Sequence, residues 1–66
     1  MATVPKYNVD QRIMIAAEDD QFFGSLGTVK AVQHRNWPKR IVYLIALDGT
    51  IHELWYAEWE IERILL

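Results

Sequence analysis

Short runs of apolar and β-branched residues, separated by turn residues, predict that this chain is all-β. Residues 12–17 form the first run and are rich enough in β-branched side chains to be a strand. Residues 28–33 alternate β-forming and polar side chains, as half-buried strands do. Residues 41–47 are the most hydrophobic segment, and we expect them to form the central strand. Residues 50–56 return as its partner.

The dipeptide Asp48-Gly49 is the strongest hairpin signal in the chain. A two-residue loop would place Tyr43 opposite Leu54. A three-residue loop with a glycine bulge would shift the return strand by one residue and exchange its faces. The sequence leaves both registers open.

Three other segments are predicted from local composition. Residues 18–21 are acidic and polar, which favours a solvated loop. Residues 34–40 are predicted to be a loop because Pro38 is incompatible with a central strand. Residues 57–66 have apolar side chains at helical spacing, but a 3₁₀ turn at 57–59 followed by a strand at 61–65 explains them better, because a ten-residue helix alone is marginal.

Five short strands in 66 residues predict one small, strongly bent and partly open barrel. We expect residues 1–9 to be an N-terminal arm, extended at Pro5, and residues 10–66 to be the barrel.

The order of these elements resembles the SH3-like barrels. Within it, Gly24-Ser25-Leu26-Gly27-Thr28-Val29 resembles the KOW segment of ribosomal and transcription-elongation proteins. The stretch from Ile13-Met14-Ile15 through Phe22-Phe23 to Gly27-Thr28-Val29 and Val32 resembles the SH3-like peripheral protein of photosystem I. The resemblance covers about residues 10–65. It implies a five-stranded SH3-like barrel that contacts partners in larger assemblies, although such barrels serve many unrelated functions.

The amino-acid composition excludes several classes of protein function. Seven lysines and arginines against nine acidic residues give a net charge of −2, which argues against a general nucleic-acid binder. A hydrophobic content of 52% excludes disorder. The absence of cysteine excludes disulfides, thiolate zinc sites and thiol catalysis. A core this small is marginal by itself, so dense packing, oligomerisation or a partner must reinforce it.

Candidate chemistry is sparse. His34 stands beside cations in the predicted loop, and His52 lies mid-strand beside Glu53, whose side chain faces the other way. The acidic run at 18–20 could hold a metal, but irregularly spaced acids are more typical of a solvated loop. No nucleophile–base set or phosphate-binding motif is visible. We therefore expect no enzymatic activity, no cofactor and no metal.

Binding is the remaining class. Both faces of the predicted central hairpin are apolar and aromatic, and one barrel has a single interior, so the arm, the last strand or another chain must cover the second face. The basic segment 34–40 suits an acidic protein surface. We expect a non-catalytic accessory module, cytoplasmic and without a membrane span, that binds a protein partner or itself; the alternative is a KOW-like nucleic-acid or ribosome-associated module. The predicted contact residues are Phe22, Arg35, Trp37, Lys39, Arg40, Tyr43 and Trp55.

Overall fold

Five antiparallel strands form one sheet in the computed structural model, which describes residues 4–36 and 39–64. In chain order the elements are β1 (Arg12–Ile15), β2 (Leu26–Asn36), β3 (Lys39–Leu47), β4 (Glu53–Ala57), a 3₁₀ turn (Glu58–Glu60) and β5 (Ile61–Arg63). The order across the sheet is β4-β3-β2-β1-β5. The all-β prediction, with a 3₁₀ turn before the last strand, is confirmed. The middle strand is β2 rather than the predicted residues 41–47, although β3 is also interior.

The sheet is not closed into a barrel. In the described part of the chain, β4 pairs with β3 alone and β5 with β1 alone, so these two strands are the free edges. The 3₁₀ turn nevertheless joins β4 to β5 directly, and its three residues span at most about 14 Å between the flanking strand ends. The sheet must therefore curl strongly, but no backbone ladder seals it.

The prediction of a loop at residues 34–40 is wrong for those of its residues that the structure describes. The β2–β3 ladder continues through His34 opposite Ile41, Arg35 opposite Arg40, and Asn36 opposite Lys39. Positions 37 and 38 lie outside the described residues. A proline excludes a strand only where it must supply a ladder hydrogen bond, and these strands end before Pro38 and resume after it.

The β3–β4 hairpin has neither of the two registers considered above. Tyr43 lies opposite Tyr56, and the Leu47 N–H donates to the His52 carbonyl at 3.1 Å. The loop therefore spans residues 48–51, with Gly49 at φ +74°. The Thr50 hydroxyl donates to the Leu47 carbonyl and accepts from the His52 N–H, which stabilises the wider loop. The shift from the two-residue register is two residues, so each side chain keeps its face.

A β-bulge at Lys30 reverses the faces of β2. Val29 lies opposite Ile45, but Ala31 lies opposite Leu44, so Lys30 is an extra residue on β2. Before the bulge the odd-numbered side chains face the core. After it the even-numbered ones do, and Arg35 is transferred to the opposite face.

The core lies on the concave side of the sheet. Tyr7 of the N-terminal arm is 1% exposed and packs there, and its ring meets that of Tyr43 edge-on with centroids 5.4 Å apart. The Tyr7 hydroxyl donates to the Ile61 carbonyl of β5 at 3.1 Å. The arm thus fills the open side of the sheet. The buried cluster is Tyr7, Ile13, Ile15, Val29, Ile41, Tyr43, Ile45, Leu47, Tyr56 and Ile61.

Gly27 allows β2 and β3 to approach each other. A Cβ atom at this position would lie 2.6 Å from Cγ2 of Ile45 and 2.8 Å from the carbonyl oxygen of Ala46. The second of these contacts is with backbone, which cannot rotate away. Only glycine fits unless the ladder shifts.

We predict that Gly27→Ala destabilises the protein by about 1–3 kcal/mol, because an overpacked position must displace its neighbours. Urea denaturation followed by circular dichroism measures the change in midpoint. Gln21→Ala, at an exposed turn position, is the control and should change stability by less than about 0.5 kcal/mol. Equal stability of the Gly27→Ala variant and wild type would contradict the close approach.

Candidate functional site

The convex side of strands β2, β3 and β4 carries an apolar strip that is partly exposed in the described part of the chain. Ala31, Leu44 and Trp55 lie side by side across the three strands. Trp55 is 42% exposed, while Ala31 and Leu44 are half-buried. We define the outer face as Ala31, Leu44, Ala46 and Trp55; Val42 lies on the same side of the sheet but is buried, with 5% exposure. The outer face belongs to the second apolar face predicted from the sequence, and in the described part of the N-terminal arm Tyr7 enters the core rather than covering this face.

Two arginines border the outer face at one end. Arg35 and Arg40 are direct cross-strand partners, so their like charges lie on the same side of the sheet. The Arg35 guanidinium lies 5.8 Å from the centre of the Trp55 ring, a cation–π contact. Within the described residues neither arginine has an ion pair. Like charges directly opposite each other destabilise a ladder, so this arrangement favours an anionic neighbour.

The other end of the outer face carries a neutralised pair. Arg12 donates hydrogen bonds to both carboxylate oxygens of Asp48, one of them at 2.8 Å, and to the Thr28 hydroxyl at 2.9 Å. The hydrogen bonds from Arg12 lower the pKa of Asp48, and those to Asp48 raise the pKa of Arg12. An apolar centre between one compensated and one uncompensated charged end resembles an interface with a polar rim.

Charge is strongly segregated along the chain. Between Asp20 and Asp48 there is no acidic residue, whereas this stretch contains the cations Lys30, Arg35, Lys39 and Arg40. All four lie on the β2–β3 hairpin and are exposed. The nine acidic residues lie on the other elements. A protein with net charge −2 therefore has one distinctly cationic hairpin.

The predicted contact residues separate into different places. Arg35, Arg40 and Trp55 come together on the outer face, and Lys39 is exposed on the opposite side of the same hairpin. Trp37 lies outside the described residues. Phe22 is half-buried against the core, with its ring centroid 5.9 Å from that of His52.

Tyr43 is fully buried, with 0% exposure, so its side chain has no surface to offer a partner. Its hydroxyl accepts hydrogen bonds from the backbone N–H of Lys6 at 2.9 Å and of Tyr7 at 3.3 Å, and it donates to Glu58 at 2.7 Å. Alternation in the strand explains the placement, because Tyr43 shares the concave face with Ile41 and Ile45. This residue joins the arm, β3 and the 3₁₀ turn.

The acidic loop is partly structural. Asp20 accepts a hydrogen bond from the Phe22 N–H at 2.7 Å and from the Tyr56 hydroxyl at 3.3 Å, so it shapes the turn at 20–24. Glu18 and Asp19 are exposed. In residues 4–36 and 39–64 no group of three histidine, cysteine or acidic side chains is arranged to hold a metal ion.

A shallow cavity of about 240 Å³ lies beside the cationic hairpin. It is lined by Lys39, Arg40, Ile41, Glu58 and Trp59. Trp59 is 71% exposed, which makes it one of the largest unburied apolar side chains of the described chain. The cavity has no convergent set of reactive groups. Ile41 and Trp59 form its apolar walls, beside Lys39 and Arg40.

Sequence reasoning counted Leu44 among the apolar residues of the central hairpin but not among the contact residues, and it did not select Ala31, although both belong to the outer face. The signal was present in the spacing of Val29 and Val32, which are three residues apart. Strict alternation cannot place both of these valines on the concave face, whereas a bulge between them can.

Comparison of the chain with protein-family models, with curated proteins and with solved structures finds no match. The resemblances to SH3-like, KOW and photosystem proteins therefore stay predictions from the sequence. No helix in the described part of the chain is long and apolar enough to span a membrane.

We predict an alkaline loss of stability from the two buried core tyrosines. Burial, with the hydrogen bond to Glu58 second, raises the pKa of Tyr43 from 10.0 to about 12. Burial, with the charge of Asp20 second, raises the pKa of Tyr56 to about 12. The folded state prefers the protonated form, so this contribution is complete below about pH 10 and is lost as the pH rises to about 12.

Thermal unfolding between about pH 8 and pH 12, with phenolate absorbance recorded in parallel, measures this loss. Tyr56→Phe removes one of the two ionisable groups and should make the alkaline decline shallower. A melting temperature that stays constant from about pH 10 to pH 12 would contradict the burial of both hydroxyls.

Proposed function

We propose that this protein is a small non-catalytic binding module, an accessory subunit or adaptor that docks on an acidic surface of a protein partner. The observation that carries the proposal is the uncompensated cross-strand pair Arg35–Arg40 beside the outer face. The remainder of the contact is apolar and centred on Trp55.

The energetics support a role in binding rather than in folding. Two opposed arginines reduce the stability of an isolated hairpin by about a few tenths of a kcal/mol or more. The two opposed arginines become favourable when an acidic partner neutralises both charges. Trp55 holds the guanidinium of Arg35 over the apolar strip. Aromatic and arginine side chains are the residues most enriched at protein interfaces.

The partner's matching surface follows from this layout. It combines acidic side chains, which meet Arg35 and Arg40, with apolar or aromatic side chains, which cover Leu44 and Trp55. Lys39 and Lys30 extend the positive potential along the hairpin and steer association at low salt.

We predict that Arg40→Gln weakens binding of a short glutamate- and leucine-containing peptide by up to about fivefold at low salt, because an exposed charge contact contributes about 0.2–1 kcal/mol. The same substitution should leave folding stability unchanged or slightly higher, because it removes like-charge repulsion. NMR titration gives the affinity and locates the contact, which we expect at Arg35, Leu44 and Trp55.

Arg63→Gln is the matched control, since Arg63 is exposed on β5 at the far edge of the sheet and its loss changes the net charge equally. Binding should be reduced in Arg40→Gln and close to wild type in Arg63→Gln. Equal weakening by both variants would mean that net charge alone governs binding, and the proposal would be wrong.

The alternative function is a nucleic-acid or ribosome-associated role of the KOW type, favoured by the acid-free stretch between Asp20 and Asp48. A single-stranded oligouridine is the probe. Tighter binding of the oligonucleotide than of the acidic peptide, with an affinity that falls steeply as salt increases, would support this alternative.

A further inference from the structure

The strand β4 is a free edge that is open to pairing. In an antiparallel ladder the backbone groups of successive residues point alternately towards and away from the neighbouring strand. The hydrogen bond from the Leu47 N–H to the His52 carbonyl fixes this alternation, so the N–H and C=O groups of Glu53 and Trp55 point away from β3. In the described chain no backbone group pairs with them.

The two edge strands of the sheet differ in length and in how their free backbone groups are capped. The edge strand β5 has three residues, and the Tyr7 hydroxyl occupies its Ile61 carbonyl. The edge strand β4 has five residues and contains no lysine, proline or bulge; its one charged residue is Glu53. Its one backbone cap is the Glu60 carboxylate, which accepts from the Ala57 N–H at 2.8 Å.

Three exposed apolar side chains are symmetric about the centre of this edge. Ile51 is 96% exposed, Trp55 is 42% exposed and Trp59 is 71% exposed. They are spaced four residues apart, with Trp55 in the middle. The odd-numbered side chains of β4 point to the convex side, while Ile51 lies in the loop before the strand and Trp59 in the 3₁₀ turn after it.

We propose that β4 pairs antiparallel with β4 of a second copy of this chain, about a twofold axis at Trp55. The two Trp55 backbones exchange two hydrogen bonds. The Glu53 N–H of each copy donates to the Ala57 carbonyl of the other. The Glu53 carbonyl of the other copy replaces the Glu60 carboxylate as the acceptor of the Ala57 N–H, and the two sheets become one continuous ten-stranded sheet.

The side chains match this occupant. A twofold axis at Trp55 places it against Trp55 of the second copy, and Ile51 close to Trp59 of the second copy at each end. Glu53 lies opposite the uncharged Ala57 of the second copy, so no like charges are directly opposed in the new ladder. One association therefore covers all three exposed apolar side chains, twice over, and supplies the reinforcement that so small a core needs.

The inference shares Trp55 with the proposed function but differs from it elsewhere. Self-pairing uses the backbone edge of β4, whereas partner docking uses Leu44 and the Arg35–Arg40 pair. The Arg40→Gln variant should therefore dimerise like wild type, and the failure of one proposal leaves the other standing.

Sedimentation equilibrium tests the pairing with charge variants of its central residue. Wild type should dimerise with a Kd at or below about 1 mM. Trp55→Lys and Trp55→Glu should each raise this Kd at least tenfold, because like charges then meet at the twofold axis. An equimolar mixture of the two variants should recover dimers. Phe23→Ser, which removes an exposed aromatic side chain far along the chain from β4, is the control and should dimerise normally.

A second set of variants keeps the test decisive if changes at Trp55 impair folding. Ile51→Glu and Trp59→Lys should each weaken the dimer, and the double variant should regain part of the loss. Residues 51 and 59 of one chain lie at opposite ends of β4, so this recovery can arise only across two copies. A wild type that stays monomeric at about 1 mM would overturn the proposal. So would a dimer that all of these substitutions leave intact.

Discussion

The hydroxyl of Tyr43 is the contact on which the rest of the structure depends, because it holds together an open sheet. It receives the backbone N–H groups of Lys6 and Tyr7 and donates to Glu58 of the 3₁₀ turn, so three separate segments meet at one buried atom. Tyr7, held there, reaches across to the Ile61 carbonyl of β5. On the open side of the sheet, this network of side-chain hydrogen bonds thus joins segments that a backbone ladder would join in a closed barrel. Because the network is buried, its protonation state is tied to folding.

The same arrangement leaves two surfaces exposed. Tyr7 fills the concave side, so this residue of the arm does not cover the convex side, where Leu44 and Trp55 lie. Leaving the sheet unsealed also creates two edges, of which β5 is short and capped while β4 is longer and capped only at Ala57. The outer face and the β4 edge are therefore both consequences of how the core is closed. Both proposals assign a partner to a surface that this closure exposes.

The bulge at Lys30 links the fold to the proposed docking site. Without it, Arg35 would share the concave face with Val29, because strand residues an even number apart point the same way. With it, Arg35 lies on the convex face, opposite Arg40 and over Trp55. One inserted residue thus places a cationic side chain of the hairpin at the end of the apolar strip on the convex face. Bulges are frequent where a strand re-aims a side chain towards a binding surface.

The sequence by itself determined the strand-forming segments, the turn at Asp48-Gly49, the 3₁₀ turn with a strand after it, and the existence of a second apolar face. These depend on local preference and on period-two patterning, which are properties of neighbouring residues. Only the tertiary structure decided the rest: the length of the β2–β3 hairpin, the four-residue loop, the burial of Tyr43 and the convergence of Arg35, Arg40 and Trp55. Register and bulges are set by contacts between strands far apart in the chain, such as that of Gly27 with Ile45, and no local pattern contains them.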